Sequence, residues 1–545
     1  MALPVPLDVP SCRNIFLLEI EVSVTIGIVP GRWPVNQWRL KAQVVSDSMA
    51  FLRNRLLLRA RWLTARCSLR VIEPTPDMAR RTRPAVRLLI GPVWAIAKKD
   101  FVSNISDSRV IVASAGVTLL LILCTHLSVH EFNARLSNWK VNQEVQSAPV
   151  SAGNVTYNVP GAVFSYRFAV GHDPPIREPE SLSAIAAGLD GELNRTVTLG
   201  QTIQFGPRQD EDAQSRLFGT PDALYAIRLF MSLLALFVAI GTITREREAG
   251  VLKALLSFPI TRRQLMAGKS IGAVLTFLVP FTLAMTAEFL YLYGISGSIR
   301  TRDQLMRFGM VVCLGFLYGL VFVFLGILIS TIVSRSKDGV ILALVVWGSL
   351  NFVFPEVAIL VPEFIAQSPS YTEVNAMLTL NQRRIFQAAM RSAGGSELNF
   401  DAPEGKRAIL DILSSDREVM DDYVRASVNH AQICHRVSLL LPSGALSFGI
   451  ADLAGTGTLN YRRYLSFLMQ QRNEIIAAMT RRIEAPEGEK AGIKGVIADV
   501  SSERFQPYAF SACTGSAAVS ALSLLAWIAA IAAGAFWRMQ VCDVR

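Results

Sequence analysis

The chemistry-bearing residues concentrate between positions 245 and 269. Arg245, Glu246, Arg247 and Glu248 stand in sequence, followed by Gly250, Pro259, Arg262 and Lys269. Charges of both signs at this density suit ion pairing and hydrogen bonding with another surface rather than the breaking of covalent bonds. Val251, Leu252, Leu255 and Leu256 recur at the i, i+3/i+4 spacing of one helical stripe. Glu246 and Glu248 fit the first turn of that helix, where carboxylates complement the dipole. Pro259 ends it, because proline lacks an N–H and clashes with the preceding turn. The segment therefore predicts a short amphipathic helix shaped to dock something else.

Other residues offer chemistry less clearly. Ala267-Gly-Lys-Ser270 imitates the end of a phosphate-binding loop, but Arg263 stands where the first glycine belongs and no strand precedes it. The chain thus shows no nucleotide site of its own. Arg228 and Glu288 fall inside apolar stretches, and an ionisable group in hydrocarbon needs a partner. On neighbouring antiparallel helices they would form a polar pair lining a substrate path. Snorkelling of either side chain to the interface is the other use of the same residues. His126, His130 and Glu131 form one cluster, and His430, Cys434 and His435 another. Both sets suit a soft metal and equally suit ordinary surface histidines, so no metal site is assigned. There is no His-Glu-x-x-His and no Gly-x-Ser-x-Gly, which leaves hydrolase chemistry without a foothold and no catalytic residue to name.

The elements that must position these residues are membrane helices. The chain has 545 residues, 51% of them hydrophobic, and a formal net charge of +11. Six apolar runs, at 110–129, 223–243, 271–293, 308–333, 340–361 and 515–537, reach or exceed the roughly 20 residues that cross a hydrocarbon core. The fold class expected is an α-helical polytopic membrane protein with six transmembrane helices. Basic residues gather in 1–109, in the 244–270 loop, in 334–337 and in the 538–545 tail. The positive-inside rule then places both termini and the charged loop in the cytoplasm of a cell (inner) membrane protein. Anionic lipid and membrane orientation account for the positive charge, and nucleic acid is not needed as a partner.

Segments 130–222 and 362–512 are then extracytoplasmic. Period-two alternation at 154–159, 162–170 and 196–205 predicts a small β-rich region in the first. Helical spacing over 372–393, 406–441 and 461–483 predicts a larger, mainly α-helical region in the second. The apolar stretch at 439–455 is broken by Pro442 and Gly444 and reads as touching the membrane surface. Residues 78–109 form an amphipathic lead-in, with Trp94 and Phe101 suited to headgroup level. Residues 1–77 are poorly patterned, either an extension or the product of a start placed ahead of Met78. Gly315 and Gly319 in the fourth run let backbones approach closely, within the chain or across a dimer.

The charged segment resembles that of permease subunits of the ABC-2 transporter group. There a Glu-Arg-Glu-x-Gly-x-Leu, Pro-[Ile/Val]-x-Arg and Gly-Lys series forms a coupling helix. Arg245, Glu246, Arg247, Glu248, Gly250, Leu252, Pro259, Ile260, Arg262, Gly268 and Lys269 match it, and Val251 departs where the group more often has Thr. Large loops after the first and fifth spans are similar to the subgroup that includes gliding-motility and nitrous-oxide-reductase maturation permeases. The Ala451-Asp-Leu-Ala-Gly-Thr-Gly457 stretch looks like that subgroup too.

The resemblance implies a transporter subunit that is not an enzyme and binds no cofactor, with ATP and magnesium held by a separate cytoplasmic ABC ATPase. Glu246, Glu248, Gly250, Leu252, Leu255, Leu256, Pro259, Arg262 and Lys269 would couple to that ATPase. A second permease subunit, identical or paralogous, would complete the membrane part within the lipid. The alternative is an ATPase-driven scaffold or mechanotransmission subunit that recruits an envelope partner without moving a small substrate.

Overall fold

A computed structural model describes residues 76–147, 177–193, 197–199, 203–205, 221–365, 369–394, 403–484 and 505–541. The strands expected at 154–159 and 162–170, and residues 1–75, lie outside the described residues. The helices are α1 (Pro76–Ile105), α2 (Ser108–Ser147), α3 (Ala223–Glu248), α4 (Val251–Ser257), α5 (Arg262–Ile295) and α6 (Arg302–Ile332). They continue as α7 (Ser336–Ile365), α8 (Tyr371–Ser392), α9 (Pro403–Ser438), α10 (Pro442–Ala454), α11 (Thr458–Glu484) and α12 (Phe510–Val541).

Helices α2, α3, α5, α6, α7 and α12 are long and apolar enough to cross a membrane. Each runs beyond its apolar window, because hydropathy reads only the part that sits in hydrocarbon. Their starts follow from local chemistry. Thr261 and Thr301 each accept from a backbone N–H three residues on, and Gln264 and Gln304 reach back to close the capping box. We call the end of the bundle that carries residues 249–261 the near face, and the opposite end the far face.

Helices α3 and α6 form the centre of the bundle. Their apolar windows are 78% and 61% buried, against 22% for α2, α7 and α12. Gly326 allows α3 and α6 to meet, since a Cβ there would lie 2.8 Å from Ala239 Cβ and 3.0 Å from the Leu236 carbonyl. Gly315 and Gly319 face inward as well, toward Phe281 and Phe277 of α5, so their close approach is used within the chain. The outer faces of α2, α7 and α12 expose Leu119, Ile341, Val345 and Leu522.

Three of the spans widen into a π-helical turn: Ile227–Met231 in α3, Tyr291–Ile295 in α5 and Ser349–Val353 in α7. A wide turn releases a carbonyl from the ladder, and in hydrocarbon that carbonyl must find another donor. Tyr318 Oη lies 3.3 Å from the Arg228 carbonyl and 2.8 Å from Asn351 Oδ1, two acceptors that share its one hydrogen. Ser443 Oγ donates to the Leu350 carbonyl at 2.9 Å.

The β-rich region expected between the first two spans is not supported. Among the described residues there, the strands reduce to one antiparallel hairpin, β1 (Val197–Leu199) with β2 (Ile203–Phe205), beside the helical turns Ser181–Ala184 and Asp190–Leu193. Alternation marks an extended stretch without supplying the further strands that a sheet needs. The second far-face region is helical, and α8, α9 and α11 follow the predicted segments within a few residues.

Helix α10 corrects the surface-touching expectation for residues 439–455. All its residues are buried, and Pro442 opens the helix at its first turn rather than breaking it. At one end Asp452 accepts from Ser516 of α12; at the other, Trp527 Nε1 donates to the Leu440 carbonyl. Ser516 to Trp527 covers about 16 Å of α12 at 1.5 Å per residue. The α9–α10 connection therefore dips deep beside the spans.

Candidate coupling site

Span α3 keeps its helix through Glu248 and then stops, because Gly250 takes a left-handed φ of 71° that only glycine adopts without strain. Helix α4 starts afresh at Val251. Glu246 and Glu248 therefore lie in the last turn of α3, not in the first turn of α4 as the sequence suggests. Carboxylates at a helix C-terminus are disfavoured by its dipole, so partners must offset that cost.

The partners come from every direction. At 3.6 residues per turn, four consecutive residues radiate around the axis of the most enclosed span. Arg245 Nη1 lies 3.7 Å from Asp107 Oδ2, just before α2. Glu246 reaches Lys269 Nζ of α5 at 2.7 Å and Lys99 Nζ of α1 at 3.3 Å. Arg247 donates to the Val333 and Thr331 carbonyls at the end of α6, at 2.9 and 3.3 Å. Glu248 accepts from the Ser336 N–H at 2.7 Å and its hydroxyl at 2.6 Å, at the start of α7. A cation on the last carbonyls of α6 and an anion on the first N–H of α7 both match the dipoles they meet. Arg262 completes the set by donating to the Met539 and Gln540 carbonyls of α12 at 3.2 and 3.1 Å. One turn of α3 and the first residue of α5 thus hold the near ends of all six spans.

Lys269 is the buried centre of this arrangement, 1% exposed. Its ammonium also meets Asp100 Oδ2 at 3.2 Å and the Thr242 carbonyl at 3.0 Å. Burial pushes the Asp100 carboxyl above its ordinary range, and Lys269 pulls against that rise. Glycines bring α1 close enough for the contact: a Cβ on Gly268 would lie 2.8 Å from the Val93 carbonyl, and one on Gly272 3.1 Å from the Ala97 carbonyl.

A family model of ABC-2 family transporter proteins matches residues 94–544. The chain belongs to the ABC-2 transporter family. It is accordingly a multi-pass membrane permease of ABC-transporter type. No curated protein matches the chain.

The ABC-2 chain divides its predicted coupling residues into two groups. Glu246, Glu248, Arg262 and Lys269 make the contacts within the chain just described. Leu252 is 1% exposed, and Leu255 and Leu256 are half-buried against the core. Pro259 is exposed, beside Val251, Lys253, Ala254 and Phe258, the last 60% exposed. The surface offered outward is therefore the opposite side of α4 from the leucine stripe. Lys99, Asp100, Asp107 and Ser336 join these contacts without belonging to the charged segment. Their sequence signal is slight: one acidic residue inside the otherwise basic Ala97-Lys-Lys-Asp-Phe101 lead-in.

The proposed Arg228–Glu288 pair is replaced by other contacts. Both residues are buried, but the hydrogen-bond partner of Glu288 is Thr125 of α2, and the Arg228 carbonyl accepts from Tyr318. Among the described residues neither histidine cluster forms a group of three or more metal-ligating side chains. His126 Nδ1 lies 2.7 Å from Tyr291 Oη, and His435 Nδ1 lies 2.8 Å from Thr458 Oγ1.

Proposed function

We propose that this chain is the transmembrane subunit through which a separate cytoplasmic ABC ATPase drives movement of a substrate across the cell membrane. The near face is cytoplasmic, as its basic residues favour. The ATPase docks on the exposed side of α4 and the turn after it, at Val251, Ala254, Phe258 and Pro259, with Lys253 at the rim. The chain itself is not an enzyme and holds no nucleotide. ATP and magnesium act on the ATPase. A second permease subunit and lipid cover the apolar outer faces of α2, α7 and α12.

The observation that carries this reading is the fan of contacts from Arg245, Glu246, Arg247 and Glu248 to the near ends of the other spans. A displacement of α4 pulls on Gly250 and hence on the last turn of α3. That turn cannot shift without disturbing α1, α2, α5, α6 and α7 together. A two-state membrane assembly biased by a partner needs contacts that differ between the states, and this fan is where they would change.

Copurification of the tagged chain from its native membrane tests the docking. Wild type should bring down an ABC ATPase. Phe258→Asp, which places a charge on the exposed docking side, should lose it while inserting normally. Absence of any ATPase with wild type in mild detergent would count against the proposal.

A further inference from the structure

Glu288 lies in α5, one turn before the π-helical segment, and is 2% exposed. Its carboxyl oxygens are 2.8 and 2.7 Å from a single atom, the fully buried Thr125 Oγ1 of α2. The same Oγ1 lies 2.9 Å from the Leu121 carbonyl. A threonine hydroxyl offers one hydrogen and two lone pairs.

As a carboxylate, Glu288 would share that one hydrogen between two oxygens and compete for it with Leu121. Among the described residues no cationic side chain stands within ion-pair distance of it. A buried charge so poorly compensated is strongly unfavourable in hydrocarbon. As the neutral acid, every hydrogen is placed. The Glu288 O–H donates to Thr125 Oγ1, and the Thr125 O–H donates to the Leu121 carbonyl.

Beside this acid, one turn further along α5, stands a hydroxyl that bonds to an exposed ring of α2. The titratable neighbours are Cys124 of α2 and Tyr291, one turn further along α5 on the same face. Asp222, just before α3, faces Cys124. The Tyr291 hydroxyl is 2.7 Å from Nδ1 of His126, whose ring packs edge-on against it and is exposed. We propose that Glu288 is an intramembrane proton-binding site, held as the neutral acid by Thr125, whose proton exchanges with the outside through Tyr291 and His126. The site is independent of the ATPase contact and stands or falls separately from it.

Infrared spectra of the full chain in lipid bilayers at neutral pH test this. Wild type minus Glu288→Gln should show a carboxylic-acid C=O band, lost in the variant. Thr125→Val, which leaves Glu288 in place, should shift that band, and it decides the matter if the Gln variant does not fold. Tyr291→Phe should slow exchange of the acid proton on transfer into D2O. Carboxylate bands in place of the acid band, or an unshifted spectrum in Thr125→Val, would overturn the assignment. Unchanged exchange in Tyr291→Phe would overturn the route.

Discussion

Lys269 Nζ lies 2.7 Å from Glu246 Oε2 and 3.2 Å from Asp100 Oδ2, so one buried ammonium joins the end of α3, the start of α5 and the lead-in helix α1. Removing one member of such a group is worse than never having built it, because the remaining charges stay buried without compensation. Lys269→Met should therefore cost about 3 kcal/mol, the lower part of the range for breaking a buried pair. Adding Glu246→Gln to Lys269→Met should recover part of the loss. Folded fraction after heating, followed by size-exclusion chromatography, reads both. Equal stability of wild type and Lys269→Met would remove Lys269 from the centre of the site.

Gly326 and Gly309 sit in the same helix with opposite surroundings. A Cβ at Gly326 meets Ala239 and the α3 backbone, whereas one at Gly309 meets nothing within 4 Å. Gly326→Ala should destabilise the bundle, in the range of about 1–3 kcal/mol for overpacking. Gly309→Ala should be neutral or slightly stabilising, since alanine is the better helix former. The difference in thermal stability between the two variants is the measurement.

On the far face, Asp190 is fully buried and bonded to Arg135, itself 4% exposed, with Arg177 Nη1 3.6 Å away. Arg177 in turn donates to Glu180 and to the Gly455 carbonyl, which ties the first far-face segment to the end of α10. Asp190→Asn should cost about 3–5 kcal/mol by leaving two guanidiniums underpaired. The loss should appear as faster proteolysis between α8 and α11 while the spans stay inserted. Unchanged cleavage would show that this network does not hold the far-face region together.

Much of this organisation is legible in the sequence because hydropathy and period are local properties. The six spans, α8, α9 and α11 follow from apolar length and helical spacing. The apolar runs start the third and fourth spans at 271 and 308, whereas the capping boxes at Thr261 and Thr301 start these helices earlier in the folded chain. The break at Gly250 is not legible, since helical periodicity passes through an isolated glycine, and the left-handed φ appears only in the folded backbone. That break moves Glu246 and Glu248 from one helix to another and so changes their partners. Ser336 and Asp100 are equally hidden, each more than 80 residues from the carboxylate or ammonium it meets. The burial of α10 is hidden too, because it comes from α6 and α12 packing around a run that is itself short and punctuated. Glu288 chose Thr125 over Arg228 for a similar reason: depth in a span fixes height but not the side from which a partner approaches.

The direct test of transmission through the last turn of α3 is a distance measurement that needs no knowledge of the substrate. Spin labels at Ile295 and Phe364, both exposed at the far ends of α5 and α7, report whether those ends move when ATP is added to the complex with its ATPase. Wild type should show an ATP-dependent change, and the Glu246→Ala/Glu248→Ala double variant should lose it with the ATPase still bound. An ATP-dependent change of the same size in the double variant would contradict transmission through that turn.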